Sequence, residues 1–197
     1  WYPSRDVEPV RFAKYLGILL RNGKQDPVQV YTDAEMAPDG PFPLLVFSHG
    51  NGSLAEQSYF MTEFFASHGF IVISPDHTEN TIGDNVGSIN FASAIDRPQD
   101  ISALLDWAYD RPPEHPLHAQ LTEAVALSGH SFGGLTTLLA TGVGIPIDDL
   151  YAEGCIGEEP APGAGSAGRL CKEFAKEPIR DLFRQGFLDE RIKVALP

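Results

Sequence analysis

Four short stretches of the chain are apolar at consecutive positions. They are Leu44-Leu45-Val46-Phe47, Phe70-Ile71-Val72-Ile73, Ala124-Val125-Ala126-Leu127 and, interrupted by one lysine, Ile192-Lys193-Val194-Ala195-Leu196. Unbroken apolar runs of this length suit strands buried on both faces, which belong to a parallel sheet covered by helices. The segments between them carry helical spacing. Tyr59, Phe60, Phe64 and Phe65 lie between Ala55 and His68, and Gly69 supplies a stop. Ile101, Leu104, Leu105 and Ala108 recur at i, i+3, i+4, i+7, with Asp96 and Pro98 placed as a cap and first turn. Phe132 to Thr141 predicts a short helix launched directly from the third strand. Strands alternating with helices predict an α/β fold built from βαβ units.

Two regions depart from that rhythm. Val7 to Asp39 offers one amphipathic helix, about Pro9 to Arg21, and a short run at Val28-Gln29-Val30-Tyr31. A second stretch, about 146–189, is acidic at first and rich in Gly and Pro in its middle, with one or two short helices expected over Lys172 to Phe187. An excursion of that length without a strand suits a cover over a site. The expected organisation is thus one α/β core over 1–197, carrying this excursion.

Charge and composition narrow the function. Fourteen Lys and Arg against 27 Asp and Glu give a net charge of −13 in 197 residues. That argues against a nucleic-acid binder, which needs a basic footprint. No apolar run reaches the roughly 20 residues of a membrane-spanning helix. The two cysteines, Cys155 and Cys171, flank the Gly/Pro-rich excursion, and a disulfide between them would stabilise that loop by about 3 kcal/mol. There is no phosphate loop, no dinucleotide fingerprint and no metal-ligating cluster of Cys and His, so neither a cofactor nor a metal is expected.

The chemistry is concentrated in Leu127-Ser128-Gly129-His130-Ser131-Phe132-Gly133-Gly134. It places a G-x-S-x-G pattern between a predicted strand and a predicted helix, the context of a nucleophile elbow. The chain must turn so sharply there that only small residues fit two before and two after the serine, a demand that Gly129 and Gly133 meet, with His130 beside the apex. Ser131 is the candidate nucleophile, at a helix N-terminus that favours developing negative charge. Ser48-His49-Gly50-Asn51-Gly52 follows the first strand. Backbone N–H groups of Asn51 (or Gly50) and Phe132 are the expected oxyanion donors.

Tyr2-Pro3-Ser4, Phe42 to Gly50, Ala66-Ser67-His68-Gly69-Phe70-Ile71-Val72 and Gly129 to Gly134 together resemble the α/β-hydrolases of the platelet-activating-factor acetylhydrolase and predicted dienelactone-hydrolase-like group. The resemblance implies a serine esterase acting through an acyl-enzyme on a small-molecule or lipid-like ester. A lipase or cutinase-like polyester hydrolase would share the elbow. True dienelactone hydrolases carry cysteine where this chain has Ser131, which disfavours that activity.

A serine nucleophile needs a histidine base and an orienting carboxylate, following it in the order Ser, Asp, His in this fold. All six histidines, His49, His68, His77, His115, His118 and His130, precede Ser131. His77, after the second strand, is the only one left near the expected rim. The catalytic acid and base are therefore expected beyond Pro197, in further sequence or a C-terminal companion fragment. A non-catalytic hydrolase-like binding domain is the competing reading from another class.

Overall fold

The structure is a computed structural model, and it describes residues 1–4, 34–84, 92–146, 148–149, 155–156, 159–160 and 176–197. The helix expected at Pro9 to Arg21, the run at Val28 to Tyr31, most of the 146–189 excursion and the Cys155–Cys171 pairing lie outside the described residues.

Strands β1 (Phe42–Ser48), β2 (Ile71–Ile73), β3 (Leu121–Gly129) and β6 (Ile192–Leu196) form one parallel sheet in the order β2-β1-β3-β6. All four arise from the four apolar runs, but β6, at the edge of the described sheet, is not buried on both faces as expected: Val194 is 49% and Leu196 45% exposed. Leu44, Leu45 and Val46 on β1 are each 0% exposed, so the central strand is covered on both faces. Alternate residues feed different layers, as the period of two in a strand requires. Leu44 and Val46 pack with Ile101, Leu105 and Ala108 of helix α2 (Ala92–Tyr109). Leu45 packs with Ala66 of helix α1 (Tyr59–Ser67) and with Val72. Helices thus cover both faces of the parallel sheet, as the alternation of strands and helices in the sequence predicts.

Helix α3 (Phe132–Ala140) starts two residues after β3, and helix α4 (Glu177–Gln185) precedes β6. Phe183 of α4 closes a second cluster with Ala94, Ile95 and Leu139. A two-stranded ribbon, β4 (Cys155–Ile156) with β5 (Glu159–Pro160), lies apart from the main sheet. Among the described residues no helix is long and apolar enough to cross a membrane.

Helix α2 differs from its sequence expectation. Pro98 lies inside the helix instead of in its first turn, and the helix begins at Ala92. Proline forfeits one backbone hydrogen bond there. Burial of Ser93, Ala94, Ile95 and Arg97 holds the extra turn against α3 and α4.

The strand order decides where a site can form. From β1 the chain moves outward to β2, then crosses back over β1 to β3. Adjacent strands β1 and β3 therefore receive connections running in opposite directions. The crevice beyond the carboxyl ends of such strands is where open α/β sheets bind ligands. The segments leaving β1 and β3 there are His49 to Ser58 and His130-Ser131.

Candidate active site

Register brings these two segments together. Ser48 pairs with Gly129, and the His130 N–H donates to the Ser48 carbonyl at 3.1 Å. The next residue, Ser131, is exposed and has φ 56° and ψ −113°, a backbone conformation unfavourable for any residue with a side chain. The reason is close approach. A Cβ on Gly129 would stand 2.1 Å from the Gly133 carbonyl oxygen, and one on Gly133 would stand 1.9 Å from that of Ser48. The turn from β3 into α3 is thus tight enough to require both glycines, and Ser131 is left at its apex.

The segment after β1 is held from three sides. Gln57 is the first support: its Oε1 accepts from the Gly50 N–H at 2.6 Å, and its Nε2 donates to His130 Nδ1 at 2.6 Å. One side chain thereby ties the loop after β1 to the residue before Ser131. The loop after β2 is the second. Asp76 Oδ1 accepts from the Ala55 N–H at 2.8 Å, the Ile82 N–H donates to the Ser53 carbonyl at 3.1 Å, and Asn80 Nδ2 donates to Asn51 Oδ1 at 2.9 Å. The third is Arg97 of α2, 0% exposed, which donates from Nη1 to the His49 carbonyl at 2.6 Å and from Nη2 to the Gly50 carbonyl at 3.2 Å. Arg97 Nη2 also donates to Asn80 Oδ1. Its guanidinium carbon sits 4.7 Å from the centre of the Phe132 ring.

Gly50 and Asn51, the alternatives for the oxyanion donor, are thereby separated. The Gly50 N–H is committed to Gln57, whereas neither the Asn51 nor the Phe132 N–H has an acceptor among the described residues.

His77 occupies a different place from the one its sequence position suggests. It is fully buried: Nδ1 donates to Asp100 Oδ2 at 2.8 Å, and Nε2 accepts from the Ser48 hydroxyl at 2.9 Å. Ser48, His77 and Asp100 thus share the connectivity of a catalytic triad. Ser48, however, is 0% exposed and offers no oxygen to a substrate. The set ties the end of β1, the loop after β2 and α2 together. Both His77 ring nitrogens are engaged, so the ring is not free to serve Ser131.

His49 Nε2 accepts from the His77 N–H at 3.1 Å, which leaves Nδ1 to donate to the Gly50 carbonyl at 2.7 Å. Burial pushes His49 down to about 4 and lowers His77 as well, so both rings are neutral near pH 7. The other histidines have partners too: His68 with the Phe64 carbonyl, His115 with the Leu117 N–H, and His118 with the Arg111 carbonyl.

Reasoning from sequence missed Gln57, Asn80, Arg97 and Asp100. Only Arg97 carries a legible signal. It stands four residues before Ile101 on the apolar stripe of α2, where a charged side chain must be buried.

A family model described as Chlorophyllase matches residues 21–174, most of the chain. The chain belongs to the chlorophyllase family. The α/β-hydrolase superfamily expected from the motifs of this chlorophyllase-family protein is therefore its own. Among solved structures, it is similar to a ferulic acid esterase from Streptomyces cinnamoneus, at 24% identity and a TM-score of 0.44 over 53% of this chain and 33% of that one. The chain thus spans about a third of the length of that structure. No curated protein matches it.

Proposed function

We propose that this chlorophyllase-family protein is a serine carboxylic-ester hydrolase whose nucleophile is Ser131. The observation that carries the reading is the strained, exposed serine at the apex of a turn that admits only glycine two residues before and two residues after it. Strain of this kind costs about 1–3 kcal/mol and persists where function maintains it.

In the proposed reaction, Ser131 Oγ attacks the ester carbonyl carbon while a base takes its proton. The carbonyl π electrons move onto oxygen, and the N–H groups of Asn51 and Phe132 hold that oxyanion. Each donor of this kind contributes about 3 kcal/mol to the transition state. Collapse expels the alcohol, which takes up a proton, and water then releases the acid from the acyl-enzyme. Both ring nitrogens of His77 are taken up by Ser48 and Asp100, so the base is assigned to a residue other than His77.

The family's name directs the first natural-substrate assay to chlorophyll, with short acyl esters and polyesters as comparisons. The deciding experiment treats the full-length protein with a fluorophosphonate, which phosphonylates activated serines. Mass spectrometry should find the adduct on the peptide containing Ser131, and Ser131→Ala should lose both adduct and turnover of p-nitrophenyl butyrate. A folded protein that takes no label, or takes it elsewhere, would favour the non-catalytic binding domain or a different nucleophile.

A further inference from the structure

We propose that Arg97 is a positioning residue of the oxyanion hole, holding and polarising the peptide unit whose N–H belongs to Asn51. The inference deepens the serine-hydrolase reading and rests on it.

Burying a guanidinium costs several kcal/mol unless it is well paired, and Arg97 is entirely buried with no carboxylate in ion-pair contact among the described residues. Asp100, the nearby carboxylate, is bonded to His77. An apolar side chain would continue the stripe of Ile101, Leu105 and Ala108. The cation is instead held by the neutral carbonyls of His49 and Gly50, the amide of Asn80 and the face of Phe132. Burial pulls Arg97 down only to about 10, so it keeps its proton near neutrality.

What the cation touches gives the inference its direction. The Gly50 carbonyl and the Asn51 N–H are the two ends of one peptide unit, and in a trans peptide they point in opposite directions. A positive group on the carbonyl draws electron density away from the nitrogen and makes the opposite N–H a better donor. The Gly50 oxygen receives three donors, Arg97 Nη2, the neutral His49 ring and the Ser53 N–H at 3.3 Å, and of these only Arg97 is charged. Arg97 Nη1 fixes the preceding peptide through the His49 carbonyl, and the same guanidinium lies over Phe132, whose N–H is the second candidate donor. One side chain therefore contacts both halves of the proposed hole from behind, where it cannot meet substrate.

The test uses the full-length protein, p-nitrophenyl butyrate as substrate and butylboronic acid as a mimic of the tetrahedral state. Replacing Arg97 by Met should lower kcat about 10- to 100-fold, less than deleting a donor outright, with KM within about threefold. Boronate affinity should fall with kcat. Arg97→Lys, which keeps the charge but lacks the fork spanning two carbonyls, should restore part of both. Asn80→Asp leaves Arg97 in place, pairs it with a carboxylate and removes the Nδ2 bond to Asn51 Oδ1, so it should lower kcat about 10-fold, whereas Asn51→Ala, which removes the same side-chain bond but keeps the backbone N–H, should lower it less.

Should Arg97→Met not fold, the lysine and Asn80→Asp arms decide. A wild-type kcat and boronate affinity in Asn80→Asp and in the folded Arg97 variants would overturn the role, as would a loss confined to KM or to thermal stability. Ser131→Ala separates the two levels of inference. If it is inert while the Arg97 variants behave as wild type, only the positioning role falls. If it retains turnover, the serine-hydrolase reading itself fails.

Discussion

Gly133, in the first turn of α3, approaches the Ser48 carbonyl so closely that a methyl group on its Cα would stand 1.9 Å from that oxygen. The helix carrying the candidate nucleophile is thus seated directly on the end of the strand that launches the oxyanion loop. Gly133→Ala must push two backbones apart, and should cost at least about 3 kcal/mol, or about 6–12 °C in melting temperature. Gly144→Ala, with nothing within 4 Å of its Cβ, should leave the transition almost unmoved. Equal melting temperatures for the two variants would contradict the tight elbow.

The backbone of Ser131 makes a second prediction with an unusual sign. At φ 56° and ψ −113°, a residue without Cβ is relieved of strain that Ala retains. Ser131→Gly should be more stable than Ser131→Ala by about 1 kcal/mol. Away from such strain, glycine is ordinarily the less stable of the two. Differential scanning calorimetry of the two inactive variants measures the difference directly.

Ser48 and Ser131 can be told apart chemically. Ser48 donates to His77 inside the core, so Ser48→Ala leaves that ring nitrogen without its donor. Stability should drop by about 1–3 kcal/mol. Fluorophosphonate should still react at Ser131 in the folded variant. Disappearance of the adduct from Ser131→Ala but not from Ser48→Ala is the expected pattern, and the reverse would move the nucleophile to the buried set.

Gln57 joins the loop after β1 to the elbow through Gly50 and His130. Gln57→Leu removes both hydrogen bonds while keeping much of the volume. With the buried Gly50 N–H unsatisfied and the loop free to shift, kcat should fall about 10-fold with little change in KM. Steady-state kinetics on a chromogenic ester reads the split. A rise in KM alone would mean that Gln57 contacts substrate and does not set the loop.

Acid should destabilise the protein over a definite window. His49 is held at about 4 by burial, and burial lowers His77 as well. Unfolded histidine titrates near about 6.5. As pH falls from about 6.5 toward 4, the unfolded state binds protons that the folded state refuses, so stability declines through that range and is level above it. His49→Gln should flatten part of the decline in a plot of melting temperature against pH. Asp189 acts lower: its bonds to Arg191 hold it at about 2, so its contribution is full above its ordinary value of 3.8 and is lost as pH falls toward 2. Parallel curves for wild type and His49→Gln would refute the assignment to His49.

The four main strands, the two-sided burial of β1 and the G-x-S-x-G turn were all legible in the chain itself. Each depends on residues adjacent in sequence: an apolar run favours a strand, and glycines flanking a serine license one particular kink, whereas burial also depends on position in the sheet, as the exposed edge strand β6 shows. The start of α2 was less so, because Pro98 argued locally for a boundary while packing of Ala94 and Ile95 against distant Leu139 and Phe183 carried the helix past it.

What surrounds Ser131 was decided by tertiary structure alone. His77 lay near the expected rim, yet the pairing of β1 with β2 brings Ser48, and the crossover from β2 to β3 brings Asp100, onto its two nitrogens, and the ring is fully buried. Arg97 reaches carbonyls 47 and 48 positions earlier in the chain. Local pattern reports which side chains must leave water. It does not report which buried polar groups will meet, because that pairing is set by strand order and by which donors and acceptors lie within reach once the sheet has closed over them.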